Sequence, residues 1–144
     1  MNIELKDTLS ITVYGFSGAA SNNDYVGEAF RLMDKMWSIV KGQNLKNKGM
    51  NIWVYEPDNM VFAGVELENA SDASTGLEQK QINLDKYAYY KHIGPYNLIR
   101  QAGTKMTDEL KKQGFETRLP YVEIYGHWGP DESKLETELL MSLK

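Results

Sequence analysis

The segment Tyr121-Val122-Glu123-Ile124-Tyr125 sets one acidic side chain between two phenols at a period of two, the repeat of a β-strand. Extended, it puts Tyr121, Glu123 and Tyr125 on one face and leaves Val122 and Ile124 as a core pair under the helices. Asn51 to Tyr55 alternates in the same way, with Ile52 and Val54 expected in the core and Asn51, Trp53 and Tyr55 pointing away from it. Two further alternations place Tyr14 with Thr12 and Phe16, and Tyr90 with Ala88 and His92. One sheet face then gathers Tyr14, Trp53, Tyr55, Tyr90, Tyr121 and Tyr125 around a single carboxylate, Glu123. Trp128, in a Gly-flanked turn beyond Tyr125, is a further candidate for the rim of such a site.

A carboxylate in this company has restricted chemistry. Buried and ionised without a partner it is costly, so it takes up a proton, stays hydrated or meets a cation. Phenol hydroxyls orient it by hydrogen bonding, and ring faces attract cations by roughly 0.5 to 2 kcal/mol each. The set can therefore act as a receptor for a lipophilic cation. It can also act as a general acid, or as a base directing water onto an electrophile. The bland alternative is a group of tyrosines packed on a solvated sheet face, with Glu123 paired to a nearby lysine.

Competing chemistry is scarce. The 144 residues include no Cys and only His92 and His127, which leaves no zinc set, no thiol and no disulfide framework. Neither a metal nor a cofactor is expected. His92, next to Gly94-Pro95, reads as a structural hydrogen bond to the loop backbone. The formal charge of −4 argues against a nucleic-acid surface, which needs clustered Lys and Arg. That excess lies wholly in residues 1–76, whereas most of the nine Tyr lie beyond it. No run approaches the roughly 18 apolar residues of a membrane span. The polar stretch Met1 to Asp7 has no signal-peptide pattern, so a cytoplasmic setting without membrane contact is expected.

The elements that must position these residues come in the same order twice. Leu9 to Phe16 reads as a strand. Val26, Ala29, Phe30, Met33, Trp37 and Val40 follow at helical spacing, with Asn23 or Asp24 as the cap and Gly42 near the end. Asn51 to Tyr55 and Met60 to Glu68 then form a strand pair around the turn Glu56-Pro57-Asp58-Asn59. In the second half Gln81 to His92 is a strand, and Ile99, Ala102, Met106 and Leu110 give a helical stripe capped by Asn97 and followed by Gly114. Tyr121 to Tyr125 and Leu135 to Leu143 close the set. Setting Tyr14 on Tyr90 and Tyr55 on Tyr125 superposes the halves. The fold class read from this is α+β: a duplicated β-α-β-β unit with pseudo-twofold symmetry, an antiparallel sheet with two helices on one face, and a ligand cleft on the other. One domain is expected over 1–144, with repeat one at about 1–68, a Ser-, Asp- and Asn-rich loop at 69–78, and repeat two at about 79–144.

The run Lys86-Tyr87-Ala88-Tyr89-Tyr90-Lys91-His92-Ile93-Gly94-Pro95-Tyr96 resembles the "Y-A-V-F-x-H-x-G-x-Y" signature of the gyrase-inhibitor-like (GyrI-like) effector-binding family. Leu119-Pro120-Tyr121-Val122-Glu123-Ile124-Tyr125 is similar to that family's proline-then-E-x-Y strand. Glu136 to Met141 is similar to its last strand, and Ala63 to Leu67 to the strand before the second repeat. Ser142 stands where the family's last strand usually carries proline. The resemblance implies the module that AraC-type and MerR-type multidrug regulators use to sense amphipathic cations, with the glutamate at the position of Glu123 facing the ligand.

The expected function is thus a stand-alone small-molecule (effector or multidrug) binding domain that captures lipophilic, cationic, aromatic compounds, either sequestering them or passing the signal to a protein partner. Two alternatives come with the resemblance. One is a hydrolase opening strained cyclopropane rings of DNA-alkylating compounds, with Glu123 directing water. The other is a gyrase inhibitor acting by direct protein contact. A binding module is favoured over an enzyme. Direct DNA binding is not expected, because no helix-turn-helix pattern precedes the first strand.

Overall fold

The alternating segments become six strands and the two 3.6-period stripes become two helices in the computed structural model, which describes residues 1–68 and 75–144. The order is β1 (Glu4–Ala19), α1 (Tyr25–Gly42), β2 (Ile52–Glu56), β3 (Met60–Val65), β4 (Glu78–Ile93), α2 (Ile99–Lys112), β5 (Thr117–Tyr125) and β6 (Glu136–Leu143). This is β-α-β-β twice over, the α+β duplication expected from the sequence. The expected loop at 69–78 falls largely outside the described residues, and Glu78 already belongs to β4.

Local chemistry explains the ends of the elements. Asp24 accepts from the Gly27 amide at 2.9 Å and so caps α1. Asp58 and Asn59 both have positive φ, which turns β2 into β3 in the tightest hairpin. Asn97 does not cap α2. A short 3-10 turn at Tyr96–Leu98 leads into that helix, and the capping position is Leu98, without a side-chain bond.

The strands close into an antiparallel ring in the order β1-β3-β2-β5-β6-β4, with β4 pairing back onto β1. Each half supplies three neighbouring strands, and the halves meet twice, where β2 pairs with β5 and where β4 pairs back onto β1. The barrel interior holds Val13, Ile52, Val54, Phe62, Ile82, Leu84, Tyr87, Val122 and Leu140. Gly15 and Gly64 lie opposite each other on β1 and β3. A Cβ at Gly15 would fall 1.9 Å from the Ala63 carbonyl oxygen, so only glycine permits this close backbone approach.

Closure changes the relation between core, helices and cleft. Val122, Ile52 and Val54 are core residues as expected, but they fill the barrel rather than sit under the helices. Both helices lie on the outer surface. α1 packs Ala29, Leu32, Met36 and Val40 over β1 and β3, and α2 packs Ile99, Ala102, Met106 and Leu110 over β4 and β6. The face carrying Glu123 is therefore the helix-bearing face, not the opposite one. A sheet curled on itself occupies its concave side with its own side chains, which leaves only the convex side for helices and ligand alike. The stripe expected on α1 is rotated for the same reason: Leu32 and Met36 are buried, whereas Val26 and Phe30 are exposed.

Among the described residues no helix is long and apolar enough to cross a membrane. Phe62 is the largest of the fully buried side chains and sits in the barrel core. Phe62→Ala is expected to destabilise the fold by about 3–5 kcal/mol, measured by urea unfolding at constant m-value.

Candidate functional site

Neither helix covers the β2–β5 seam, one of the two along which the halves join. α1 contacts β1 and β3, α2 contacts β4 and β6, and the central pair β2 and β5 lies in the gap between them. A cavity of about 900 Å³ opens there. Its floor is Trp53, Tyr55, Tyr121, Glu123 and Tyr125; one wall is Val26, Phe30 and Met33 of α1, and the other is Ile99, Arg100, Gly103, Thr104 and Thr107 of α2. Tyr25, Tyr96 and Trp128 also line it, as does Asp24 at the start of α1, with Trp128 74% exposed at the rim.

Glu123 is 6% exposed and accepts three phenol hydroxyls. Tyr125 donates to Oε1 at 2.5 Å, Tyr55 to Oε1 at 3.2 Å, and Tyr121 to Oε2 at 2.7 Å. Strand geometry brings this about. Tyr121 and Tyr125 are the nearest residues on the same face of β5, and Tyr55 is the direct cross-strand partner of Tyr121. Each ring leans back toward the carboxylate between them. A carboxylate offers about four acceptor positions, and three are taken, leaving one on Oε2. Among the described residues no Lys, Arg or His forms an ion pair with Glu123.

The rings also brace one another. Tyr55 stacks on Tyr121 at 5.5 Å, while Phe30, Trp53, Tyr125 and Tyr96 form an edge-to-face series with centroids 5.1, 5.0 and 5.8 Å apart. Trp53 is 5% exposed, and its indole N–H has no acceptor among the described residues.

Six of the eight residues proposed from sequence come together here: Glu123, Tyr121, Tyr125, Tyr55, Trp53 and Trp128. Tyr90 and Tyr14 do not line the cavity. Register explains both. Across the barrel Phe16, Ala63, Trp53, Glu123, Leu139 and Tyr90 form one row, so Tyr90 is two strands from Glu123 and packs beside the core under α2. The first-half counterpart of Tyr90 in this row is Phe16 rather than Tyr14. The difference of two residues keeps the face but moves Tyr14 about 7 Å along its strand. His92 is buried with Nε2 3.0 Å from the Pro95 carbonyl oxygen, the structural role expected of it. The sequence pattern gives the α1 wall only as a helical stripe and does not single out the α2 wall. The available signals were an apolar arc on α1 broader than one packing stripe needs and a glycine inside α2.

Family comparison matches the whole chain, residues 1–144, to the model described as the GyrI-like small molecule binding domain. The chain belongs to this family. No curated protein sequence matches it. Among solved structures, the EcmrR C-terminal domain superposes on this GyrI-like domain with a TM-score of 0.74 at 16% identity, covering 99% of this chain and 97% of that one. SAV2435 bound to tetraphenylphosphonium does so with a TM-score of 0.69 at 18% identity, covering 100% and 94%. A hydrolase from Listeria innocua reaches 0.59 at 10% identity, covering 99% and 91%. At these identities the likeness is one of fold.

Burial first, and then the negative charge of Glu123, push the hydroxyls of Tyr55, Tyr121 and Tyr125 far above the ordinary phenol range. The native domain keeps these protons where an unfolded chain loses them, near pH 10. The unfolded state then binds fewer protons, so the stability these phenols contribute is complete below about pH 10 and declines as pH rises further. In a phenolate absorbance titration Tyr55, Tyr121 and Tyr125 are expected to ionise only as the chain unfolds, and Tyr125→Phe is expected to remove one residue from that late class.

Proposed function

We propose that this domain binds a lipophilic, aromatic cation in the cavity between α1 and α2, with Glu123 as its counter-charge. The observation that carries the reading is a carboxylate 6% exposed at the floor of an aromatic cavity, hydrogen-bonded by three phenols and unpaired with any cation among the described residues. Three hydroxyl donors offset part of the cost of burying it, and neutralising its charge is left to whatever enters. A cation fits that role twice over, through the carboxylate and through the ring faces of Trp53, Tyr55 and Tyr121. A delocalised, weakly hydrated cation fits best, because it gives up little solvation on entering an apolar site. SAV2435, whose fold is shared, has been solved with such a cation, tetraphenylphosphonium.

The acceptor position left open on Oε2 favours one second reading. A water held there by Glu123 could attack an electrophilic carbon, as in a hydrolase that opens a strained ring. The two readings separate experimentally. With tetraphenylphosphonium as the probe in calorimetry, Glu123→Gln is expected to weaken binding at least about tenfold, or about 1.4 kcal/mol. Unchanged affinity would sink the cation receptor. Incubation with a cyclopropane-bearing alkylator, followed by mass spectrometry, is expected to show no ring opening that depends on Glu123; such turnover would establish the hydrolase instead.

A further inference from the structure

The two walls of the cavity are built differently. α1 presents Val26, Phe30 and Met33, all bulky, whereas α2 presents a glycine at its centre, Gly103. Gly103 lies in the interior of a 14-residue helix, where glycine is among the least favourable residues. Nothing among the described residues demands it. Its φ is not among the positive values that occur at Gly49, Gly76, Gly94 and Gly114. A Cβ built on Gly103 meets nothing nearer than Met141 Cε and the Tyr121 hydroxyl, each at 3.9 Å, which is ordinary contact. Gly15 and Gly126 differ, since a Cβ there would fall within 3 Å of backbone oxygen.

The space that the missing side chain leaves is part of the cavity. It lies beside the hydroxyl that Tyr121 donates to Glu123. The neighbouring α2 hydroxyls do not fill it with donors. Thr104 and Thr107 turn theirs back onto the carbonyl oxygens of Arg100 and Gly103, at 3.1 and 3.0 Å.

We propose that Gly103 is a specificity-determining residue: the bare turn of α2 is a slot above Glu123 that admits a flat aryl ring against the helix backbone, which selects polyaryl cations over slim alkylammonium ones. The inference rests on the cation-receptor reading of the same cavity and adds the shape of the ligand to it. Its physical basis is that selectivity is a difference of affinities, and here the difference comes from volume that only a wide ligand uses.

The test compares two probes, tetraphenylphosphonium and the ring-free butyltrimethylammonium, on the wild type, Gly103→Ala and Gly103→Leu, with thermal unfolding measured on each protein. Gly103→Ala is expected to raise Tm, since the added methyl fits and favours the helix. Gly103→Leu is expected to cut the preference for tetraphenylphosphonium over butyltrimethylammonium by about tenfold or more, and Gly103→Ala to shift it in the same direction by less. A lower Tm for Gly103→Ala would make the glycine a packing requirement and overturn the proposal without reference to any ligand. Equal loss of both probes in Gly103→Leu, or loss of neither, would overturn it while leaving the receptor standing. A wild type that binds neither cation would remove the receptor and the inference together.

Discussion

The constraint on which the rest of this molecule depends is the accommodation of one carboxylate inside a protein. Glu123 is held by three hydroxyls, and each must come from a residue whose Cα position is set by the sheet. Two are its neighbours at ±2 on β5, and the third is reached across the β2–β5 pairing, Tyr55 opposite Tyr121. A slip of one residue in that pairing would turn Trp53 and Tyr55 into the barrel and Ile52 and Val54 out of it. The apolar interior and the polar cluster therefore enforce the same register from opposite faces of the same strands.

That pairing is also where the duplication meets itself. Trp53 is the direct partner of Glu123, and the row through them continues symmetrically to Ala63 and Phe16 on one side and to Leu139 and Tyr90 on the other. With Tyr55 equivalent to Tyr125, the repeat counterpart of Glu123 is Trp53, so the pseudo-twofold axis passes between the two. The symmetric frame thus holds an asymmetric pair, an acceptor from one half and a large aromatic from the other. A carboxylate in both places would set two like charges side by side and raise the cost of burial. An aromatic in both would leave the floor of the cavity without its acid.

Barrel closure decides what surrounds the pair. Because the concave side is packed solid, both helices stand on the convex side, each over its own half, and the axis runs through the groove between them. The groove is open because neither helix covers the β2–β5 seam. Sharing of this fold with proteins at 16% and 18% identity, the EcmrR domain and SAV2435, is consistent with a frame set by patterning and register more than by individual side chains.

Much of this was legible in the sequence. Period-two alternation depends only on the pleat, so the strands, the partition of Val122 from Glu123, and the grouping of Trp53, Tyr55, Tyr121 and Tyr125 with that carboxylate could be read directly. The order β-α-β-β, twice, was legible because helices and strands differ in period. Alternation carries no information, however, on how far along a strand its partner lies, and so Tyr14 was aligned two residues away from the row that Phe16 occupies. Nor does it say which way a sheet curls. The sequence by itself determined which side chains share a face and that one of them is an acid among phenols. Only the tertiary structure decided that this face is the convex one, that α1 and α2 wall it on both sides, and that Gly103 stands bare beside the Tyr121 hydroxyl, because these follow from closing six strands into a ring, a property of the whole chain and of no single segment.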